Sequence, residues 1–467
     1  MAAGSNFPRC DYVTISRVEF DSLVGTVEKL AKAVEILQEK LGQNSTNSSK
    51  PPSSDPPGTQ KRPQRPSGQS RGGQPGHQGK GRANFASGRA SNTNPCRPQM
   101  CPCCGNDLSN VAGTICQRHQ VIDLPKIEAS ITEHQVELVT CPTCRKQVRG
   151  EVPAHAASSN FGPGVMALLA NLIGRCRMSR RDAQWIIKDL LGIDIGLGTL
   201  PRLEGIVSDS LGPSYQEVKS QIPVARVLGV DDSAWKERKA YKVAFIANTP
   251  GWAIFQIEDK KDHETAKLVL EGFWQKLVSD RGSTYSFYKG PRQTCLAHVD
   301  RHFLCIASRG GDSRLVGRPL LDAMDELWSI WKRYQKDEID FEKMGLEMIP
   351  VQAKIYGRLL AGTLVDHSKT AKTCKNFLEV FDTFWEFTRD PEVPPTNNSS
   401  EQALRPVVRS RKTSFGSQSE LGTTFIARIM TAAETCRRQG KNLYRFLKAT
   451  VEAHLRGISA PLILAPD

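Results

Sequence analysis

Val227-Leu228-Gly229-Val230-Asp231-Asp232-Ser233 is a short aliphatic run that gives way to two carboxylates, and Lys276-Leu277-Val278-Ser279-Asp280-Arg281-Gly282 repeats the arrangement. Short apolar runs bounded by polar residues read as strands buried in a sheet. The pattern therefore predicts two strands, each running out into polar sequence at its Asp. In full, it puts strands over residues 225–230, 241–248, 252–257, 277–279 and 293–297, with a helix near 264–275. Consecutive strands followed by alternating helix and strand make a mixed sheet with helices on its faces, an α/β domain. Helical periodicity then runs through 318–390, 399–406 and 424–455.

A third acid, Glu401, lies in Thr396-Asn397-Asn398-Ser399-Ser400-Glu401-Gln402-Ala403-Leu404-Arg405-Pro406, on a predicted helix. Asp280 follows Asp231 by 49 residues and Glu401 follows Asp280 by 121, an interval that the helical block 318–390 fills as an insertion. Hard divalent ions take oxygen ligands, and three carboxylates holding two Mg²⁺ can activate a water or hydroxyl at phosphorus while stabilising the departing oxygen. Spacing alone does not single these residues out, because 49 Asp and Glu residues offer many such triples. A plainer reading has Asp231 capping a strand end and Glu401 pairing with Arg405 one helical turn on.

The 13 cysteines are an odd number in a chain of 467 residues, which argues against a disulfide framework and for metal ligation by a clustered subset. Cys101-Pro102-Cys103-Cys104 and Cys141-Pro142-Thr143-Cys144 are two Cys-x-x-Cys knuckles, and Cys101, Cys104, Cys141 and Cys144 make the four-thiolate shell of a structural Zn²⁺. The intervening 36 residues leave room for a small sheet around 121–124 and 129–139, and for reserve ligands at Cys116 and His119, while Cys103 is an extra thiol. The alternative is a set of reduced cysteines that bind nothing. A zinc-binding domain over 96–150 is the expectation.

Flanking segments extend the pattern. Residues 160–222 read as helical, with helix 179–191, turn 192–198 and helix 199–208 spaced as a helix-turn-helix, and Arg180 and Arg181 at its entry facing phosphate; a purely structural hairpin fits the same spacing. Residues 43–95 are rich in Ser, Pro, Gly, Asn and Gln and carry eight Lys and Arg against Asp55 alone, so they read as a disordered basic linker, either tracking phosphates or acting as a tether. Residues 12–42 hold a heptad pattern in Phe20, Leu23, Val27, Leu30, Val34, Leu37 and Leu41 behind a Ser16–Glu19 capping box: a short coiled coil, or an amphipathic helix packed on its own domain.

The chain exceeds the length at which one core keeps growing, so several domains are expected. Its formal charge of +14 points to a polyanionic partner, nucleic acid ahead of an anionic membrane surface. No stretch approaches the ~18 apolar residues of a membrane span and the first residues hold no apolar run, so the expected location is cytoplasmic.

Taken together, these motifs resemble the Asp-Asp-Glu transposases of the insertion-sequence 66 family over nearly the whole chain. The resemblance is carried by the N-terminal heptads, the Gly73-Gln74-Pro75-Gly76-His77-Gln78-Gly79 stretch, and the two knuckles with Val121-Ile122-Asp123-Leu124-Pro125 and Glu133-His134 between them. It continues through Phe161-Gly162-Pro163, Gly198-Thr199-Leu200, Val230-Asp231-Asp232-Ser233, Cys295-Leu296-Ala297-His298 with Arg301 and Phe303, and Asn397-Asn398-x-x-Glu401-x-x-Leu404-Arg405-Pro406. It implies a ribonuclease-H-like mixed-sheet catalytic domain over 224–423 with a helical insertion, plus the coiled coil, zinc-binding domain, helix-turn-helix region and a C-terminal helical segment over 424–467. Asp231, Asp280 and Glu401 become the catalytic residues and ligands of Mg²⁺ or Mn²⁺. His298 contacts DNA, orients a ligand, or simply packs. Arg405, Arg409, Arg411 and Lys412 clamp backbone phosphates or form a solvated basic face. The implied activity is metal-dependent strand cleavage and 3′-hydroxyl strand transfer. The implied partners are the element's terminal inverted repeats and target DNA, further copies of the chain as a homo-oligomer, and accessory proteins of the same element, all at the nucleoid. The rivals are a catalytically inactive zinc and helix-turn-helix DNA-binding regulator, and a zinc scaffold with no nucleic-acid role. Where the family usually has Glu after the first Asp, Gly-Tyr after the second, Asp before the paired Asn and Arg after the Glu, this chain has Asp232, Arg281-Gly282, Thr396 and Gln402.

Overall fold

The computed structural model describes residues 15–44, 55, 83–125 and 127–465. Most of the basic linker predicted over 43–95, the 73–79 stretch included, lies outside the described residues. Helix α1 (Arg17–Gly42) opens on its capping box, the Ser16 N–H donating to Glu19 Oε2 at 2.8 Å and the Glu19 N–H to Ser16 Oγ at 3.2 Å. Its seven heptad residues are all exposed.

In the cysteine-rich region β1 (Leu138–Thr140) pairs antiparallel with β2 (Gln147–Arg149). The strand expected at 121–124 is absent, and Val121, Ile122 and Leu124 are exposed. No hydrophobic side chain described between residues 83 and 153 is buried, so no apolar face rewards a second sheet there. The region's N-terminal edge is tied by polar bonds: the Phe85 N–H donates to Gln120 Oε1 at 2.8 Å and Gln120 Nε2 to the Phe85 carbonyl at 3.0 Å.

A helical block follows, comprising α2 (Ala154–Ala157), α3 (Pro163–Ala170), α4 (Arg180–Leu191), α5 (Thr199–Ser210) and α6 (Gly212–Lys219). Helix α4 starts where Ser179 Oγ accepts the Asp182 N–H at 3.1 Å and stops at Gly192, whose φ of 65° is the left-handed conformation that glycine supplies at helix ends. Ala183 and Ile187 of α4 and Leu200, Leu203 and Val207 of α5 are buried in one core.

The sheet that follows has the order β5-β4-β3-β6-β7, from β3 (Val227–Glu237), β4 (Ala240–Asn248), β5 (Ala253–Glu258), β6 (Lys276–Ser279) and β7 (Arg292–Thr294). β3, β4 and β5 form an antiparallel meander, and β6 and β7 run parallel to β3. The structure corrects the expectation that Asp231 ends its strand. β3 pairs with β6 only over 227–229, but pairs with β4 from Gly229 to Glu237, so the strand continues as a hairpin after its parallel neighbour has left. The helix expected near 264–275 is shorter, α7 (His263–Val269), and Gly272 at φ 77° turns the chain towards β6. The run at 293–297 is divided between β7 and α8 (Leu296–Ser308).

Helices α9 (Gly311–Gln335), α10 (Phe341–Gly362) and α11 (Ser368–Glu379) form the insertion, with a core of its own around Phe303, Phe377, Phe384, Trp385 and Phe387. The chain then returns to the sheet through α12 (Asn398–Ser414), α13 (Glu420–Gln439) and α14 (Leu443–Arg456). The domain division expected at 423/424 falls inside α13. That helix lies against β5, where Thr431 Oγ1 accepts the Phe255 N–H at 3.0 Å, so it belongs to the same core as the sheet and the helices upstream of it. Among the described residues no helix is long and apolar enough to cross a membrane.

Candidate active site

The parallel pairing of β3 with β6 matches Gly229 to Val278. Asp231 and Asp280 each lie two residues beyond that pair, where the parallel pairing of the two strands ends, Asp231 within β3 and Asp280 just past β6, the edge at which open α/β sheets hold ligands. Asp280 sits in a tight turn, its Oδ1 accepting the Gly282 N–H at 2.8 Å, and a Cβ at Gly282 would come within 2.8 Å of that oxygen. Arg292 ties the same turn down, donating to Ser279 Oγ at 2.9 Å, to the Asp280 carbonyl at 2.7 Å and to the Tyr285 carbonyl at 3.3 Å.

Glu401 reaches this edge because the first turn of α12 is bolted to the centre of the sheet. Asn397 Nδ2 donates to the Val230 carbonyl at 2.7 Å, Ser400 Oγ to Asn397 Oδ1 at 2.6 Å, and Asn248 Nδ2 to Ser400 Oγ at 2.6 Å and to the Gly229 carbonyl at 3.1 Å. Ser399 Oγ donates to Asn248 Oδ1 at 2.9 Å and accepts from Arg438 Nη2 at 3.1 Å. Asn397, Ser400 and Asn248 are buried, so each bond replaces one that water cannot supply. Sequence reading missed Asn248. A polar residue closing an apolar strand was its signal, but Ser399 and Ser400, its partners on α12, lie some 150 residues away.

Like charges crowd the site. Burial raises the Asp231 carboxyl well above its usual range, and Asp280, Asp232 and Glu401 raise it further against the Asp232 N–H that it accepts. Burial also raises Glu401, while Arg301 and Arg405 pull it back. Lys261 forms an ion pair with Asp232. Among the described residues no Lys or Arg forms an ion pair with Asp231 or Asp280. Arg281, which departs from the family pattern, turns from Asp280 onto the face of Phe377, 4.5 Å from the ring centroid. His298 Nε2 stands 3.0 Å from Glu401 Oε1 without hydrogen-bond alignment, leaving that oxygen buried and without a donor. Ligand atoms within 4.8 Å of one another belong to Cys295, His298 and Glu401; among the described residues the three predicted carboxylates do not close to that distance as a set.

The other predicted residues divide. Arg180 is taken by Glu204, with two charge-assisted bonds of 2.7 Å, and Arg411 braces β3 by donating to the Ala234 carbonyl at 2.7 Å. Arg181, Arg405, Arg409 and Lys412 are exposed. Arg177, at φ 59°, has a buried Nη1 with no partner and feels the charges of Arg175 and Arg409, which join burial in lowering its pKa. Each cysteine knuckle forms as a turn: Gly105 N–H donates to the Cys101 carbonyl and Arg145 N–H to the Cys141 carbonyl, both at 2.9 Å. Main-chain N–H groups of Cys104 and Cys103 lower the Cys101 thiol pKa, and those of Cys144 and Thr143 lower Cys141. The four sulfurs are not gathered within 4.8 Å; Cys103, Cys116 and His119 are exposed.

A mixed α/β architecture presents Asp231 and Asp280 where the parallel pairing of its strands ends, with Glu401 on a helix pinned to the same sheet. Residues 159–424 match the family described as "Transposase IS66 family", and the chain belongs to that family. Its role is accordingly that of a transposase. Residues 9–83 match a family of unknown function (DUF6444). The chain is also similar to "Uncharacterized protein y4hP" of Sinorhizobium fredii, 23% identical over 395 residues that cover 73% of this chain and 68% of the relative.

Proposed function

We propose that this transposase cuts DNA at the ends of its own element and joins the freed 3′-hydroxyl to target DNA, using Asp231, Asp280 and Glu401 as ligands of Mg²⁺ or Mn²⁺ in a ribonuclease-H-like domain. The observation that supports this reading is the register of the two Asp residues on adjacent parallel strands, with Glu401 on a helix pinned to the same sheet through Asn397 and Ser400. The sheet supports the fold: an antiparallel three-strand meander whose first strand is central and is followed outward by two parallel strands.

The donor set fits a hard cation, being all oxygen, crowded with like charge and including a buried carboxylate oxygen with no hydrogen-bond donor among the described residues. Divalent ions bound there would lower the pKa of an attacking water or hydroxyl and stabilise the leaving oxygen. The chain's own part is positional. β3 and β6 hold two carboxylates at fixed separation, Arg292 locks the turn behind Asp280, and Lys261 pairs with Asp232 beside them. Arg175, Arg177 and Arg409 form a cationic cluster, without an ion-pair partner among the described residues, that suits backbone phosphate, with Arg405 and Arg181 adding exposed charge. The knuckle turns support a structural Zn²⁺ that draws the two together, and the exposed heptads of α1 support self-association between copies.

The test is cleavage of an end-containing duplex by purified full-length protein. With Mg²⁺ or Mn²⁺ the wild type nicks the element end, while Asp231→Ala and Glu401→Ala lose about 1,000-fold or more in rate and still bind the duplex. Wild-type cleavage that survives both substitutions would refute the assignment. The separation of the three carboxylates favours one rival, an inactive DNA-binding regulator. It predicts salt-sensitive binding with no cut in any metal.

A further inference from the structure

We infer that Cys295, His298 and Glu401 form a second metal site beside the acidic centre, one that takes a thiophilic divalent ion of the Zn²⁺, Co²⁺ or Cd²⁺ class and inhibits by claiming Glu401. The three side chains each offer one ligand atom, all within 4.8 Å of one another. Cys295 caps α8 and His298 lies in that helix's first turn, so the helix fixes the sulfur and nitrogen side by side, and α12 brings the carboxylate from the other direction. Ligand atoms around a tetrahedral Zn²⁺ stand roughly 3.3–3.8 Å apart, given bonds of about 2.3 Å to sulfur and 2.0–2.1 Å to nitrogen and oxygen. The 3.0 Å separation of His298 Nε2 from Glu401 Oε1 needs only a small opening to fit.

Two further features suit a bound ion. The Asn397 N–H donates to Cys295 Sγ at 3.2 Å, the kind of outer bond that stabilises a ligating thiolate, and Glu401 Oε1 is buried with no hydrogen-bond donor among the described residues. Cys295 itself is fully buried, whereas the His298 and Glu401 side chains are 22% and 32% exposed, so the ion enters from their side and keeps a fourth position towards solvent. Binding exchanges the thiol proton of Cys295 for the ion, and the proton leaves to water. Mg²⁺ shuns sulfur, so soft and hard ions sort between the two sites by donor type and compete only through Glu401.

Full-length protein is titrated with Co²⁺ in the absence of Mg²⁺, with bound cobalt per chain and the thiolate-to-cobalt charge-transfer absorbance recorded for the wild type, Cys295→Ser and His298→Gln. Both substitutions are expected to remove one bound Co²⁺ per chain and leave the signal of the remaining cysteines. Equal stoichiometry and spectra in all three proteins, each with wild-type circular dichroism, overturn the site. Should Cys295→Ser unfold, the more exposed His298→Gln decides alone. The inhibitory consequence rests on the function proposed above. The Zn²⁺ concentration that halves Mg²⁺-dependent cleavage is expected to rise about 10-fold or more in Cys295→Ser, and an unchanged value overturns the inhibition. Cobalt loss in the variants with no cleavage by any protein refutes the proposed function and leaves this site standing. Cleavage with an unchanged cobalt count does the reverse.

Discussion

Gly229 shows how little room the site leaves at single positions. A Cβ there would lie 2.7 Å from Ser400 Oγ, 3.2 Å from Asn248 Nδ2 and 3.4 Å from Asn397 Oδ1, and all three neighbours are buried and mutually bonded, so none yields cheaply. Gly229→Ala should push α12 off β3, costing about 1–3 kcal/mol. Because Ser400 precedes Glu401, cleavage should fall further than duplex affinity. Thermal melting, cleavage and anisotropy on one preparation check this, and wild-type melting and cleavage in the variant would mean that α12 is held elsewhere. His302 offers a second handle. Burial, reinforced by Arg281, Arg301 and Arg309, holds its pKa down at about 4, against 6.5 for an ordinary histidine. Between those values the unfolded chain binds the proton and the folded chain does not. The stability is therefore complete above pH 6.5 and drains away as pH falls towards 4, by up to about 3 kcal/mol. Denaturant unfolding at pH 7.5 and pH 5 should show a smaller loss in His302→Gln than in the wild type; equal losses would assign the acid sensitivity to other groups.

At the scale of elements, what was legible in the sequence was what is decided locally. Helix α4 is announced by Ser179 and closed by Gly192, residues whose side chain or backbone freedom acts within one turn. The strands bearing Asp231 and Asp280 follow from the short apolar runs Val227-Leu228-Gly229-Val230 and Leu277-Val278. The continuation of β3 past Asp231 was not legible, because Asp232, Ser233, Lys236 and Glu237 look like loop residues until β4 pairs with them. Nor could Arg281 be resolved by inspection: beside Asp280 in sequence, it stacks on Phe377, 96 residues on. The knuckles divide the same way. Each turn is built by bonds within five residues, but closing the two onto one ion depends on a connecting segment that buries nothing. On the proposed structural Zn²⁺, the metal orders a region that has no apolar core, so stripping it should expose residues 83–153 to protease while the sheet domain stays intact. Cys101→Ser should reproduce that pattern without chelator. Zinc content near one ion per chain accompanies protection; equal protection before and after stripping would rule out a structural ion.

The whole molecule carries +14, yet its sheet edge collects Asp231, Asp232, Asp280 and Glu401 with Lys261 as the ion-pair partner of Asp232. Folding assembles these acids from separate parts of the chain, bringing together charges that the unfolded chain keeps apart, so the centre is a site of stored repulsion. The large core that joins the helical block, the sheet and α13 into one unit provides the stability to sustain it. Removing one charge without changing shape should release part of that cost. Asp231→Asn is therefore expected to stabilise the metal-free protein by about 1 kcal/mol, a rise of about 2–4 °C in Tm. On the proposed function a cation gives the wild type the same relief, so Tm should climb with Mg²⁺ concentration, whereas in Asp231→Asn the climb should be much reduced. Scanning calorimetry of both proteins in chelator and across a magnesium series separates the cases. A variant that melts below the wild type in chelator would mean that Asp231 is a structural strand residue, and a magnesium response identical in the two proteins would mean that the ion binds elsewhere.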